Sequence, residues 1–402
     1  MRKIGVIFML IVGCSQARAG ESPTHSASLH QFLETAQFDR AKPVLDECKK
    51  ERESAYVIAC TALQAGIFRN EGNAPEWARS MISLHEEAAK ASRQAFDIDL
   101  SEYYKSVDFN SLASLPPLLL TAPVGAQFIE TLDGEGAVGS VWSTNAERLY
   151  LVEIRSGGQS SVAMVDTGAP AALNMSGCTA DKLGITRVVG TVPAAARQLG
   201  AVVPPYHEEL RFADEVSIGS IKLRNALVRV DPHDKSDRAV VGMGLLSRFE
   251  SVGFSEGGIT LGQSAPSESK VVPFRFSSTF DLGSSEILID VRTHGSVYSA
   301  ALDTGLSALV AFTNPLASMD AGESTGEFSP YDPGGIMPPF KMSRQTLSIS
   351  DIKLTEVPTL LFWKSPEGQS FDVIIGGEIR KVLNLQINFS AGKIYFWPRR
   401  PR

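Results

Sequence analysis

The sequence predicts a mainly β chain of two duplicated lobes with an N-terminal α-helical domain in front, and three observations carry that reading. The triplet Asp-Thr-Gly occurs twice, as Asp166-Thr167-Gly168 and Asp303-Thr304-Gly305, each time directly after a strand-like apolar run (162–165 and 299–302). The surroundings of the two triplets repeat in the same order over most of the second half of the chain. Residues from about 27 to 113 carry a helical period instead.

The extreme N-terminus reads as an export signal. Arg2-Lys3 followed by the apolar residues 4–12 has the basic and apolar regions of a secretory leader, assigned here to residues 1–19. Its end can be read two ways. Ile11-Val12-Gly13-Cys14 resembles a bacterial lipobox, in which Cys14 would carry the lipid, whereas Ala17-Arg18-Ala19 before Gly20 fits ordinary small-residue cleavage. The lipobox is preferred because Cys14 stands at the edge of the apolar region; a buried N-terminal helix is the plainer alternative. Export implies an oxidising compartment, here a periplasmic, lipid-anchored location in a bacterium. Three cysteines then remain. Cys48 and Cys60 are spaced either to staple two neighbouring helices or to stay apart as thiols, and Cys178 is expected to be a small apolar filler.

Residues 25–114 form the expected helical module. Tyr56, Ala59, Cys60 and Leu63 fall at i, i+3, i+4 and i+7, and Trp77, Met81, Leu84 and Ala88 repeat the stripe. Asn73 before Pro75-Glu76 marks a helix start. The stripes are most simply core. Two roles stand open for the module, docking of a protein partner or a pro-segment over a cleft, and docking is preferred because a pro-segment need not form a packed bundle. The prolines of Leu115-Pro116-Pro117 and Pro123 end the helices, so residues 115–139 are assigned as linker.

The lobes follow, at 140–270 and 271–399, as short β-branched runs punctuated by Gly, Pro, Asn and Asp. Glu153-Ile154-Arg155-Ser156 and Asp290-Val291-Arg292-Thr293 precede the two triplets at matching spacing. Downstream, Val203-Pro204-Pro205-Tyr206 is echoed by Met337-Pro338-Pro339-Phe340, and 217–223 by 348–354. Val240-Val241-Gly242 is echoed by Ile374-Ile375-Gly376, and 253–259 by 388–394. A self-match in this order means a duplicated lobe.

Asp-Thr-Gly followed roughly 75 residues later by two apolar residues and a Gly resembles the aspartic peptidases of retropepsin and pepsin type. The resemblance covers about residues 140–399 and implies acid-protease-like β-barrel lobes, each supplying one aspartate, with an extended peptide or protein substrate across the cleft between them. It implies Asp166 and Asp303 as shared general acid and base, with Thr167, Gly168, Thr304 and Gly305 supporting them. Elementary chemistry points the same way. Peptide hydrolysis without a metal or a covalent intermediate needs a base for water and an acid for the carbonyl oxygen or the leaving amine. Two carboxyls in one site supply both, because like charges in contact cannot both ionise. A glycine lets the backbone amide approach the carboxylate, and the Thr hydroxyl can bond the opposite lobe's backbone. Two departures stand out. Leu306 occupies a place where Ser, Thr or Ala is usual, and no Tyr-Gly flap signature is present, leaving Tyr206 and Tyr331 as candidates for a flap aromatic. A catalytically silent peptide-binding scaffold with the same cleft is the alternative.

Other features point elsewhere and fall short. Gly322-Glu323-Ser324-Thr325-Gly326 matches G-x-S-x-G but lacks the strand before and the helix after that a nucleophile elbow needs. His85-Glu86-Glu87 and His207-Glu208-Glu209 lack the second His of a zincin and read as surface residues, and His294 reads as a hairpin turn mirrored by Gly157-Gly158. No cofactor or metal is implied. A net charge of −7 argues against a nucleic-acid partner. After the N-terminus no apolar run reaches the roughly 18 residues of a membrane helix, so membrane contact is expected only through an N-terminal lipid.

Overall fold

The structure, a computed structural model, describes residues 29, 31–50, 54–90, 106–133, 135–137, 148–194, 197–198, 201–202, 206–278, 285–313, 340–362 and 371–399. The leader with Cys14, the G-x-S-x-G stretch and Tyr331 lie outside those residues, as do the side chains of Tyr56, Ala88 and Tyr206.

After helical residues at 29 and 31–34 come the helices α1 (Phe38–Cys48), α2 (Ser54–Glu71), α3 (Ala74–Lys90) and α4 (Phe109–Ala113). The stripe of α3 is core, as its period implies. Trp77, Met81 and Leu84 are buried, and Trp77 meets Phe109 edge-on at 5.3 Å. Asn73 stands at the start of α3, its carbonyl accepting from the Trp77 amide at 3.0 Å. His85 is half-buried rather than a surface residue, because its ring packs on Phe109 at 5.8 Å and burial lowers its pKa. Helix α2 is buried on nearly every side between residues 57 and 70, which explains its lack of a polar face. Cys48 and Cys60 are joined in a disulfide that ties α1 to α2.

The proline-rich stretch is not a free tether. It contributes β1 (Leu119–Thr121) and β2 (Gln127–Glu130), each paired antiparallel with a strand of the body. The first lobe comprises β3 (Leu151–Ser156), β4 (Gln159–Val165), β5 (Leu173–Ser176), helix α5 (Gly177–Lys182), β6 (Arg187–Ala194), β7 (Arg197–Gln198), β8 (Ala201–Val202), β9 (Tyr206–Ile218), β10 (Ile221–Asp231), β11 (Ala239–Val241) and helix α6 (Met243–Leu246). Pairing runs β10-β5-β11-β4-β3-β9 and returns to β10, closing a six-stranded barrel. Cys178 faces solvent in the first turn of α5 and is not the apolar filler expected, since Gly177, Thr179 and Ala180 take that helix's buried face.

Next come β12 (Ser251–Ser255), β13 (Gly258–Leu261), β14 (Lys270–Pro273) and β15 (Arg275–Ser278). The second lobe follows as β16 (Ser285–Thr293), β17 (Ser296–Asp303), β18 (Val310–Phe312), β19 (Phe340–Ile349), β20 (Ile352–Phe362) and β21 (Val373–Gly376), with a short 3-10 turn at Gly377–Lys381. Its pairing, β16-β17-β21-β18-β20-β19 and back to β16, repeats the first barrel strand for strand. The hairpin turns repeat as well: Gly157-Gly158 and His294-Gly295 all have positive φ, the conformation a tight two-residue hairpin requires. The chain closes with β22 (Leu383–Asn388) and β23 (Lys393–Pro398).

A third sheet joins the lobes. Its order is β14-β23-β22-β12-β13-β2, so the tail of each lobe and the linker all contribute, and β12 pairs with β22 antiparallel. One buried core runs from Phe38, Leu45 and Ile67 of the helices through both barrels to Phe389 and Phe396 of the joining sheet. Each fully buried aromatic of this kind contributes about 2 kcal/mol of apolar burial. No described helix is long and apolar enough to cross a membrane.

Candidate active site

Both triplets sit where a central barrel strand ends. Strand β4 delivers Asp166 directly after Val165, and β17 ends on Asp303. Each lies beside a dry parallel neighbour: Val241 of β11 pairs with Val165, and Gly376 of β21 pairs with Asp303. Val165, Val241, Leu302 and Ile375 are all buried, so the strands hold the loops in an apolar frame that excludes water from the main chain.

The loops themselves are pinned in matching ways. The Asp166 amide donates to Val241 O at 2.9 Å, and the Met243 amide donates to Ala169 O at 2.7 Å. In the second lobe the Gly377 amide donates to Leu306 O at 2.7 Å, and the Gly376 amide donates to Leu309 O at 3.0 Å.

The two loops meet across the lobes. Thr167 Oγ1 donates to Leu302 O at 2.7 Å and accepts from the Thr304 amide at 3.1 Å. Thr304 Oγ1 donates to Val165 O at 2.8 Å and accepts from the Thr167 amide at 3.0 Å. Both threonines are fully buried. These four bonds form a reciprocal clasp in which every donor and acceptor is satisfied without solvent.

The clasp brings the carboxyls of Asp166 and Asp303 together, each against the glycine of the opposite loop and close enough to interact with the other. The Gly168 amide donates to Asp166 Oδ1 at 2.7 Å, and the Gly305 amide donates to Asp303 Oδ1 at 3.0 Å. Close approach explains the glycines. A Cβ on Gly305 would stand 2.5 Å from the Asp166 carboxyl carbon, and one on Gly168 would stand 2.9 Å from that of Asp303.

Each aspartate keeps part of its surface open to solvent, yet the carboxyls lie deep enough for burial to dominate their electrostatics. Burial is the largest cause raising the Asp166 pKa well above the ordinary carboxylate value, followed by the Asp303 charge and the interaction with its carboxyl. The Asp303 pKa is raised by burial too, against the pull of its interaction with Asp166 and of the Gly305 and Leu306 amides. The pair therefore titrates as a unit that retains one shared proton to higher pH than free carboxyls would.

Leu306, the unusual residue, is buried in an apolar cluster with Ala308, Ala311, Leu360, Phe362 and Ile374. Ala169, its counterpart, packs partly into a similar cluster around Leu149, Leu151, Met164 and Val240. The side chain after each glycine thus belongs to its own barrel's packing, and backbone amides serve the carboxylates. The glycines pointed to an amide approaching each carboxylate and the threonines to a bond with the opposite lobe's backbone, but nothing singled out Val165 O and Leu302 O as the acceptors, because main-chain groups carry no residue identity. Of the flap candidates, Tyr206 begins β9, whose first residues pair with β6 in a hairpin.

Residues 152–248 match a family model described as "gag-polyprotein putative aspartyl protease". Among solved structures, an aspartic proteinase from Irpex lacteus is similar at 13% identity and a TM-score of 0.44, covering 68% of this chain and 97% of that one. No curated protein matches the sequence significantly.

Proposed function

From a two-lobed, acid-protease-like fold with one Asp-Thr-Gly loop in each barrel, we propose that the chain is an exported aspartic endopeptidase. It hydrolyses peptide bonds with water activated by Asp166 and Asp303. Fold and family match support a protease-like function in general. The observation that carries the finer reading is the juxtaposition of two carboxyls, one from each lobe, each against the opposite loop's glycine and locked there by the threonine clasp.

In this reading the ionised carboxylate takes a proton from water as the water oxygen bonds to the substrate carbonyl carbon. The other carboxyl gives its proton to the carbonyl oxygen, so the tetrahedral adduct forms without net charge. Collapse breaks the C–N bond as the proton held by the first carboxyl passes to the leaving nitrogen, and the adduct's hydroxyl proton returns to the second. The dyad ends as it began. Thr167 and Thr304 fix the distance between the two carboxyls, and Gly168 and Gly305 supply the amides that orient them. An extended peptide or protein is the substrate, aligned by strand-like pairing with edges beside the loops.

The test is cleavage of a diverse peptide mixture from about pH 3 to about pH 8, with Asp303→Asn beside the native chain. Cuts that fall roughly a thousandfold or more in the variant support the dyad. A folded native chain that binds peptides and cuts none makes the cleft a silent scaffold instead. Export with a lipid on Cys14 belongs to the same proposal, motivated by the basic and apolar residues before it. Membrane-fraction recovery that Cys14→Ser leaves unchanged would remove the lipid from it.

A further inference from the structure

Among the described residues, the C-terminal end of α2 hydrogen-bonds to the first Asp-Thr-Gly loop. Asn70 O accepts from the Ala172 amide at 2.6 Å, and two residues on, Gly72 O accepts from the Leu227 amide of β10 at 2.7 Å. Ala172 ends the loop that begins at Asp166, and its own carbonyl accepts from the Gly242 amide at 3.1 Å. The loop's far end is thus held on one side by its own barrel and on the other by the helix.

The fit is tight. A Cβ on Gly244 would lie 1.9 Å from Asn70 O, so the barrel leaves space for the helix end only because that residue is glycine. The remaining gap, between Phe38, Ile67, Pro170, Met243 and Phe276, is about 10 Å³. Phe38 of α1 meets Phe276 edge-on at 5.5 Å.

Charge fixes the register of this contact. Glu71 is 2% exposed, accepts from Lys42 at 2.7 Å and faces Arg248, just beyond α6, at 3.4 Å. Asp39 of α1 bonds Lys42 at 2.8 Å and lies 3.4 Å from Arg248. A carboxylate held in so dry a place is costly to move away from its cations, which makes the cluster a register pin between module and lobe. The second lobe is braced differently. Thr304 lies 137 residues beyond Thr167, and in that lobe it is Arg148 O, from the first lobe's side, that closes on Gly377.

We propose that the end of α2 is a brace of the first catalytic loop and that Glu71 is a positioning residue. Its ion pairs with Lys42 and Arg248 keep the Asn70 carbonyl on the Ala172 amide and so set Asp166 against Asp303. The inference rests on the reading of the dyad as catalytic. It makes the helical module a permanent part of the working enzyme, neither a detachable pro-segment nor an independent docking unit.

The experiment uses the full chain as wild type, Glu71→Gln, Arg248→Leu and Arg248→Lys, with two readouts. Hydrogen exchange is followed for peptides spanning 167–173 and 304–310. Cleavage of a peptide chosen from the mixture is followed per active site, titrated with a peptide bearing a hydroxyl-methylene in place of the scissile bond. In Glu71→Gln and Arg248→Leu, exchange at 167–173 should rise at least about tenfold while 304–310 stays as in wild type. In the same variants kcat should fall about tenfold with KM within about twofold, and the limbs of the pH profile should move. Arg248→Lys should restore both readouts. Unchanged exchange at 167–173 in either folded charge-removing variant overturns the brace, whatever the activity does. Raised exchange with kcat and pH profile unmoved overturns the positioning role. A wild type that cleaves nothing while its exchange still responds to Glu71→Gln overturns the catalytic reading and the positioning role with it, and leaves a structural contact. If Glu71→Gln does not fold, the Arg248→Leu and Arg248→Lys pair decides alone.

Discussion

At the scale of single residues, the site depends on hydroxyls and protons that have nowhere else to go. Thr304→Val keeps the shape of the side chain and removes its hydroxyl, so Val165 O loses its donor and the Thr167 amide loses its acceptor. Two orphaned buried groups cost about 3 kcal/mol together. Denaturant unfolding should show that loss, and kcat should fall about tenfold or more as the loops separate. Protons at the dyad give a second expectation. The folded pKa values of Asp166 and Asp303 both lie above those of the unfolded chain. The stability they contribute is therefore fully present below the unfolded carboxylate pKa and is lost as pH rises through the raised folded values. Native protein should become less stable over that window, whereas Asp166→Asn, which cannot ionise there, should show a flatter dependence in melts taken across the range. A native profile as flat as that of the variant would mean the carboxyls are not in contact. Activity should be bell-shaped, lost at low pH as the second carboxyl protonates and at high pH as the shared proton leaves.

At the scale of elements, the disulfide between α1 and α2 is the most directly testable link. It closes a loop of sequence separation 12, for which restricting the unfolded chain is worth about 3 kcal/mol. The Cys48→Ser, Cys60→Ser double variant should unfold at correspondingly lower denaturant, and a reductant should lower the native chain to the same level and leave the variant alone. What was legible in the sequence divides along the same lines. Side-chain periodicity and repeated short motifs were readable, hence the stripe of Trp77, Met81 and Leu84, the paired turns at Gly157 and His294, and the duplication of the lobes, whose barrel form was implied by the family resemblance and whose strand order was not legible. Two cysteines in adjacent helices could be proposed as partners but not joined, because bonding depends on how the helices face each other. The exposure of Cys178 was misread because one residue in a short amphipathic helix carries no period of its own. The docking of α2 on the Ala172 amide was invisible, since it uses a backbone carbonyl and a glycine, Gly244, whose only signature is an absent side chain. Leu306 looked like a departure because it fills a place where the resembled family usually has Ser, Thr or Ala. Its actual partners, Leu360, Phe362 and Ile374, lie far along the sequence.

At the scale of the whole molecule, the question is whether the helical module and two barrels behave as three units or one. Chains with thin interfaces between domains unfold in stages. Here the separations are not thin. The joining sheet takes strands from both lobes and the linker, and the buried core is continuous from α1 to β23. Arg380 is among the side chains that span the seam: buried after β21, it donates to Leu149 O of the first lobe and to Glu256 O of the joining sheet, and its guanidinium lies 4.7 Å above the Tyr150 ring. Beside it Arg148 pairs with Glu378 at 3.0 Å. Replacing Arg380 with Met retains the apolar stem over Tyr150 but takes the side-chain donor from Leu149 O and one of two from Glu256 O, which keeps Thr131 Oγ1 at 3.5 Å, a loss of about 1 to 3 kcal/mol. The consequence should be felt on both sides of the seam at once, because Leu149 leads into β3 and Gly377 follows β21, the strand beside Asp303. Far-ultraviolet and near-ultraviolet circular dichroism should therefore give coincident melts in the native chain and again, at lower temperature, in Arg380→Met. An early helical transition in the native chain, before the barrels lose their tertiary signal, would instead separate the module from the lobes and return it to the role of an independent docking unit.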